Sequence, residues 1–280
     1  MRAFVLLFSL FLSVPSFATS IWHVQGEQEF YLFGTIHVLR PDSYPLPAVY
    51  PKTLDKCDVL WLEADSDELN DGDVMHQLQQ MMLLPVGDKL KDQLSENAYR
   101  QLQVLADKAG VSLALLQGLK PWAAANQLTL MIFQQKGFTG EGLDMYLQDY
   151  AQQRQIPVRA FETLLWQLNM FDELSEQYTD DFIEFSTEDM DDVDQLVVDL
   201  YNNWRRGDVA TMYEQAAFDG YRDVENRMLT ERNNRWMQTL LNEENIGVQC
   251  VAVGALHMAA EHGLLQQFRN AGYQVTQLTR

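Results

Sequence analysis

His37 and His257 each end the same short pattern, an apolar run followed by Gly-x-x-His. The first run is FYLFGTIH over residues 30–37, and the second is VAVGALH over residues 251–257. Short apolar runs rich in β-branched and aromatic residues predict buried strands, so each histidine follows the end of a strand. Ligands of open α/β sheets bind beyond the carboxyl ends of the strands. We therefore predict one site built from both ends of the chain.

Two glutamates occupy equivalent positions on two further predicted strands. Glu63 ends the run VLWLE, and Glu162 ends the run IPVRAFE. Buried carboxylates are costly unless they are paired or bound to metal. Two histidines with one or two glutamates form a ligand set for zinc, manganese, iron or cobalt that leaves a position open for water. A metal there would acidify its bound water and polarise a carbonyl. The second glutamate would be a further ligand or the general base. The ordinary alternative is that each residue is structural.

A third element carries polar groups that could serve such a site. Residues 231–236, ERNNRW, lie on a predicted helix whose apolar stripe includes Trp236 and Leu240. Arg232 and Asn233 on this helix would stabilise an oxyanion, and the alternative is a surface salt bridge to the acidic segment. The chain has no Gly-x-Ser-x-Gly elbow, phosphate loop or dinucleotide fingerprint.

The order of predicted elements favours an α/β fold with a central mixed sheet and large helical insertions. Residues 21–36 read as a hairpin, and strands follow near residues 58–63, 156–162, 248–253 and 274–278. Helical periodicity fills about 66–154 and 163–245. We predict one α/β domain over residues 19–280, with the first and last strands as neighbours and the site at the strand carboxyl ends.

The N-terminus and the charge limit where the protein acts and what it binds. Arg2, the apolar stretch 3–14 and the small residues Ser16 and Ala18 predict a signal peptide over residues 1–18, cleaved after Ala18. We expect a periplasmic or secreted protein with no membrane span in the mature chain. The net charge of −20, from 20 basic and 40 acidic residues, argues against nucleic acid as a partner.

The cysteines and an acidic segment raise two further questions. Cys57 and Cys250 each precede a predicted strand, so parallel pairing of those strands would place both at the edge opposite the histidines. In an exported protein they form either a disulfide or two buried thiols. Residues 172–199 hold acidic and no basic residues and read as a solvated helix face. Asp189 to Asp194 lacks the glycine and spacing of a calcium loop.

Together these residues resemble the TraB/GumN family, which is related to the Tiki metalloproteases. The resemblance implies a metal-dependent hydrolase, with His37, Glu63 and His257 at the metal positions and Arg232 and Asn233 in a further functional element. The chain departs from the family after His257, where residues 258–262 lack the usual Gly- or Pro-containing turn. The matching pieces are residues 32–38, Leu62-Glu63, Gly142-Leu143-Asp144, Phe161-Glu162-Thr163, Glu231-Arg232-Asn233, 253–257, 263–265 and 272–273.

The leading hypothesis is an exported metal-dependent peptidase or amide hydrolase that uses metal-activated water. His37, Glu63 and His257 would hold manganese, cobalt or zinc, Glu162 would be a ligand or base, and the substrate would be a peptide or small amide. The alternatives are a non-catalytic protein that binds a peptide or cofactor in the same cleft, and capture of haem by His37 or His257. The acidic segment would attract cationic peptides.

Overall fold

The computed structural model describes residues 18–187, 193–243 and 246–279. The predicted signal peptide falls outside these ranges except for Ala18, and so does most of the acidic stretch 189–194. Both the signal peptide and the rejected calcium loop therefore stay predictions. No helix among the described residues has both the length and the apolar character needed to cross a bilayer.

A six-stranded mixed sheet lies at the centre, in the order β6-β4-β7-β2-β1-β8. Strands β6, β4, β7 and β2 are parallel, whereas β1 runs antiparallel to both β2 and β8. The predicted α/β class, the hairpin and the neighbouring first and last strands are all confirmed. The strands are β1 (Ala18–Gln25), β2 (Glu29–Thr35), β4 (Val59–Ala64), β6 (Val158–Glu162), β7 (Val248–Gly254) and β8 (Gln274–Thr279).

A second, very short ribbon pairs β3 (Val38–Leu39) with β5 (Gly140–Glu141) in antiparallel register. It joins residues 38–39, which follow β2, to residues 140–141, which lie more than one hundred residues later and precede the helix that begins at Leu143. The Leu143 N–H also donates to the Ile36 carbonyl at 3.1 Å. The chain around His37 is therefore tied directly to the start of that helix.

Helices fill the two predicted insertions, and local signals in the sequence set several of their ends. The Ser95 side chain accepts from Ala98 N–H and caps one helix, and Pro121 occupies the first turn of another. The helices are α1 (Val49–Leu54), α2 (Gly72–Met81), α3 (Glu96–Lys108), α4 (Pro121–Gln135), α5 (Leu143–Gln153), α6 (Leu164–Gln177), α7 (Thr179–Thr187), α8 (Val193–Arg206), α9 (Val209–Gln215), α10 (Arg222–Glu225), α11 (Glu231–Asn242) and α12 (Leu264–Asn270).

The buried apolar residues form two clusters. One surrounds the sheet and includes Phe30, Phe33 and Trp236. The other lies among the insertion helices and includes Leu102 and Leu128. Helices α5, α8 and α12 pack against strands of the sheet. The insertions therefore have an apolar core of their own, and the two cores meet along a seam.

A disulfide joins Cys57 to Cys250, with a Cα–Cα distance of 5.7 Å. The two cysteines are 193 residues apart in the sequence and lie where the parallel neighbours β4 and β7 begin. Of the two alternatives, the structure has the disulfide. It fixes the sheet at the edge opposite the strand ends that carry the glutamates and histidines.

Candidate functional site

Four neighbouring parallel strands bring the predicted site residues to one edge of the sheet. Glu162 ends β6, Glu63 lies near the end of β4, and His257 and His37 follow β7 and β2, in the same order as the strands. Thr35 pairs with Gly254, so the two Gly-x-x-His patterns lie side by side. The structure thus brings both histidines and both glutamates to a shared edge, as the sequence predicts.

The glycines of the two patterns permit close packing at this edge. The Gly254 N–H donates to Glu63 Oε1 at 2.6 Å, and a Cβ on Gly254 would lie 3.1 Å from that same oxygen. A Cβ on Gly34 would lie 3.3 Å from the Ala255 backbone. Both positions therefore favour glycine because a neighbouring group approaches the backbone closely.

Arg232 is the most highly bonded residue of the site. Its guanidinium donates from Nη2 to Glu63 Oε2 at 2.5 Å and to Glu162 Oε2 at 2.8 Å, and from Nε to both Glu162 oxygens at 3.1 Å. From Nη1 it donates to the Met228 carbonyl at 3.1 Å and reaches His257 Nε2 at 3.1 Å. Arg232 is only 5% exposed. It is the one cation that contacts both carboxylates among the described residues, and it compensates their buried charge.

A π-helical turn over Asn226–Thr230 leads directly into α11 and aims Arg232 and Asn233 at the sheet edge. Such turns insert a residue into a helix and often occur at functional sites. Periodicity in the sequence predicts the helix and its apolar stripe, but it does not reveal this local change of pitch.

Glu162 is buried and bonded by several donors besides Arg232. It accepts from Arg235 Nη2 at 3.2 Å, from Trp236 Nε1 at 3.2 Å and from Gln167 Nε2 at 3.1 Å. Its side chain is 4% exposed. These contacts hold Glu162 and Arg232 in place, and they occupy both Glu162 oxygens with donors from the protein.

His257 is held in one tautomer by Asn233. The Asn233 amide nitrogen donates to the carbonyls of His257 and His262, at 3.3 and 3.0 Å, so its oxygen faces His257 Nδ1 at 2.7 Å and accepts from it. The Nε2 lone pair then accepts from Arg232. Burial lowers the pKa of His257 to about 3, although the charge of Glu63 opposes this shift. His257 is therefore a neutral imidazole at neutral pH.

Burial has the opposite effect on the pKa of the neighbouring carboxyl group, that of Glu63. Burial alone would raise the pKa of Glu63, but Arg232, the two histidines and the Gly254 N–H together lower it well below its ordinary range. The pair at neutral pH is a carboxylate beside a neutral histidine, with Glu63 Oε1 3.7 Å from His257 Nε2.

The neutral state of His257 makes the stability sensitive to mild acid. Between pH 6.5 and about 3 the unfolded chain protonates this histidine and the folded chain does not. Folding stability therefore decreases as the pH falls through that range, by up to about 1.4 kcal/mol per pH unit. Urea unfolding at pH 7 and pH 5.5 should show a smaller loss in His257→Gln than in wild type.

His76→Gln is the control for this measurement, since His76 is exposed on α2. It should retain the full loss of stability between the two pH values. The same loss in His257→Gln as in wild type would contradict the assignment of a neutral buried His257.

His37 differs from His257 because its side chain is 70% exposed. Its Nδ1 lies 3.0 Å from Asp144 Oδ2, so this bond leaves Nε2 unengaged. The charge of Asp144 and the hydrogen bond to it raise the pKa of His37, and burial opposes this effect only in part. An imidazole held by a carboxylate at Nδ1 is the arrangement of a general base.

Asp144 is the site residue that the sequence analysis did not assign. It lies in the first turn of α5 and reaches His37 because the β3–β5 ribbon joins the two segments. Any side chain at Gly142 would collide with Asp144 Oδ1 and with the His37 carbonyl. The segment Gly142-Leu143-Asp144, one of the pieces that carry the family resemblance, could have indicated this aspartate.

The three predicted metal ligands do not fit a metal centre as they are arranged. The two Glu63 oxygens already accept hydrogen bonds from Arg232 and from the Gly254 N–H, and the His257 Nε2 lone pair faces Arg232. Throughout residues 18–187, 193–243 and 246–279, no group of three or more His, Cys, Asp and Glu side chains is placed to hold a metal ion. A metal at His257 would require the guanidinium to move.

The predicted oxyanion donors are also engaged within the protein. Asn233 is fully buried, and its amide nitrogen donates to the carbonyls of His257 and His262. Arg232 donates to Glu63, Glu162 and Met228. In this arrangement both residues position the other site residues, and Asn233 has no accessible donor for a substrate.

Two other histidines, His23 and His262, contact carboxylates that are not those near His37 and His257. His23 pairs with Glu29 at 2.7 Å on the hairpin. His262 is partly buried, with its side chain 16% exposed and its Nδ1 3.6 Å from Glu225 Oε1. Burial lowers the pKa of His262.

A cavity of about 610 Å³ opens beside this constellation. His37, Glu63, Arg232 and His257 line one part of it. The rest lies in the seam between the sheet core and the helical core, and its walls come from α4, α6, α7, α8 and α9. Its volume is typical of a small-molecule site.

Comparison with known proteins gives a family but no solved fold. The family model described as the TraB/PrgY/gumN family matches residues 20–277. The uncharacterized protein YbaP of Escherichia coli (strain K12) is 27% identical over 251 residues, covering 87% of this chain and 89% of YbaP. YbaP of Shigella flexneri matches to the same extent. No solved structure matches significantly. Since the family model spans nearly the whole described chain, the protein belongs to the TraB/PrgY/gumN family.

Proposed function

We propose that this protein is a hydrolase of ester or amide bonds in which His37 is the general base. The observation that carries the proposal is the His37–Asp144 pair, whose contact of 3.0 Å lies beside the cavity. A histidine oriented by a carboxylate and open to a ligand-sized cavity has the position that water activation requires. Asp144 raises the pKa of His37 to about 9, so the neutral form that acts as the base becomes the main form at alkaline pH.

In the proposed reaction, neutral His37 takes a proton from water at Nε2 while the water oxygen attacks the substrate carbonyl. Asp144 accepts from Nδ1–H and stabilises the imidazolium that forms. When the tetrahedral intermediate collapses, the bond to the leaving group breaks and His37 returns the proton to that group. The products are a carboxylic acid and an alcohol or amine.

The buried network supports this chemistry by fixing the adjacent wall of the cavity. Arg232 joins Glu63, Glu162 and His257 through direct contacts, and Asn233 fixes the orientation of His257. A wall with polar groups that are already paired needs no rearrangement when a substrate arrives. Glu162, Arg232 and Asn233 thus serve as positioning residues in this proposal.

A metal-dependent hydrolase is the second candidate, and one observation favours it. Both histidines have Nδ1 held by a side-chain acceptor, Asp144 for His37 and Asn233 for His257. Metal-binding histidines usually have such a partner, because it leaves Nε2 oriented for the ion. This candidate requires Arg232 to leave His257 Nε2 before an ion could bind.

A hydrolysis screen with and without chelator separates these functions. The purified protein is treated with a chelator and assayed on p-nitrophenyl esters, anilides and a peptide library, and its metal content is compared with that of the His37→Ala/His257→Ala variant. We expect hydrolysis that survives chelation and equal metal content in both proteins.

Other outcomes of the screen are equally specific. Activity lost on chelation and restored by manganese, cobalt or zinc, with metal bound only by wild type, would replace general-base catalysis by metal-dependent catalysis. Binding of peptides without turnover under every condition would identify the non-catalytic binding protein instead. Export to the periplasm or medium remains part of the proposal, and it is supported by the signal-like residues 1–18.

A further inference from the structure

The cavity beside His37 has apolar walls over most of its surface. Aromatic and methionine side chains from the insertion helices and the segments around them dominate the part that lies away from the strand ends. They include Phe133, Phe138, Phe171, Phe185, Met170 and Met212. The lining residues with acidic or basic side chains, among those described, are His37, Glu63, Arg232 and His257, and all four side chains lie at the sheet edge.

Three polar side chains in the wall are engaged already. Gln167 donates to Glu63 and Glu162, Gln215 accepts from Asn203, and the Tyr201 hydroxyl bonds to Ser43. The side chains left without a partner within the described chain are those of Thr35, Asn126 and Thr129. Each peptide unit of a bound polypeptide would bring one donor and one acceptor that need partners. A peptide threaded along this wall would find few such partners and leave most of its polar groups unpaired, at a cost in binding. A hydrocarbon chain carries no such groups.

The charge distribution also disfavours a ligand with a charged far end. Glu63 is paired with Arg232, and Glu162 is paired with both Arg232 and Arg235, so these two carboxylates are already compensated by two guanidinium groups. The wall formed by the insertion helices offers, within the described chain, no ionic side chain that would compensate a charge on the ligand. An uncharged chain or ring is therefore the group that this wall accommodates at least cost.

We infer that the substrate carries a long uncharged acyl chain, which occupies the apolar part of the cavity and places its carbonyl at His37. This inference rests on the proposed hydrolase function and specifies its substrate class. The cavity volume of about 610 Å³ lies within the range that buries most of a ligand of this kind. The expected substrates are acyl esters or acyl amides in which the apolar group is on the acyl side.

A chain-length series provides the first test. The full-length protein is assayed on p-nitrophenyl esters from acetyl to dodecanoyl, each below its micellar concentration. If each added CH₂ enters the cavity, kcat/KM should rise by up to about fourfold per CH₂ until the cavity is filled. Equal kcat/KM across the series, or preferential cleavage of peptides over long acyl esters, would overturn the inference and leave the hydrolase proposal intact.

A pair of variants on α8 tests where the chain binds. Leu200 lines the cavity, whereas Val198 on the same helix is 45% exposed and does not. Leu200→Trp should lower the ratio of dodecanoyl to acetyl kcat/KM by tenfold or more, because the indole fills the space. Val198→Trp should keep the wild-type ratio. Equal ratios in the two variants would overturn the assignment of the acyl chain to this cavity.

Binding without turnover distinguishes the failure of this inference from the failure of the proposed function. The probe is p-nitrophenyl octyl ether, which cannot be hydrolysed at a carbonyl, with p-nitrophenyl methyl ether as the short control. Wild type should bind the octyl ether at least tenfold more tightly than the methyl ether, and Leu200→Trp should lose this difference. If that result appears while no ester is hydrolysed, the hydrolase proposal fails and the acyl-binding cavity stands. Equal binding of both ethers would overturn the cavity assignment.

Discussion

Arg232→Met should lower the free energy of unfolding by roughly 3–5 kcal/mol, the cost of removing one partner from a buried ion pair. Glu63 and Glu162 are 13% and 4% exposed at their side chains, and this guanidinium compensates the charge of both, with the half-exposed Arg235 as a second partner of Glu162. Methionine fills similar space but offers no donor, so Glu63 loses its guanidinium partner and Glu162 keeps only the exposed one. Urea unfolding monitored by circular dichroism provides the measurement.

Arg235→Met is the matched control because Arg235 also contacts Glu162, at 3.2 Å, but is 46% exposed at its side chain. An exposed pair contributes at most about 1 kcal/mol, so this variant should remain close to wild type. Adding Glu162→Gln to Arg232→Met should recover part of the lost stability, since one buried charge is then removed. Equal stability of the two methionine variants would refute the central role given to Arg232.

His37→Ala should lower kcat/KM by about 10²- to 10⁴-fold on any substrate that wild type hydrolyses, the usual contribution of a general base. Because the His37 side chain is 70% exposed, the same change should leave the unfolding midpoint near that of wild type. Loss of activity without loss of stability is the expected combination. Activity within twofold of wild type would remove His37 from the mechanism.

Asp144→Asn should shift the pH profile as well as reduce the rate. Asp144 raises the pKa of His37, so kcat/KM in wild type should keep increasing above pH 6.5 as the imidazole loses its proton. Without the aspartate charge, the rising limb should move to lower pH. His23→Gln removes a second histidine–carboxylate pair, 2.7 Å from Glu29 and outside the cavity, and should leave the profile unchanged.

The apolar runs in the sequence were sufficient to predict the sheet and the edge at which the two histidines and two glutamates meet. Runs ending at Glu63 and Glu162, and runs leading to His37 and His257, became four neighbouring parallel strands. The reason is physical: a strand buried on both faces must be apolar, so the polar residue at its end stands out. Helix starts with clear caps, such as Ser95 and Pro121, were likewise predictable from local chemistry.

The roles of individual side chains were less predictable because they depend on contacts between distant segments. Asp144 is 107 residues from its partner His37, and the β3–β5 ribbon and the Leu143 N–H to Ile36 carbonyl bond bring the two together. Arg232 and Asn233 were predicted as oxyanion donors, with a surface salt bridge as the alternative, whereas their bonding to Glu63, Glu162 and His257 depends on the helical turn that precedes them. Composition and periodicity carry no information on such pairings.

The central position of β7 has a consequence for how the chain can be synthesised and assembled. This strand pairs with β2 on one side and β4 on the other, yet it begins only at Val248. Until this residue has been synthesised, β2 and β4 lack the strand that lies between them in the complete sheet. Contacts of such long sequence separation form late and slowly. Shortened chains that end before β7 also lack β8, so β4, β2 and β1 should each expose an unpaired strand edge, and such edges are sites where aggregation begins.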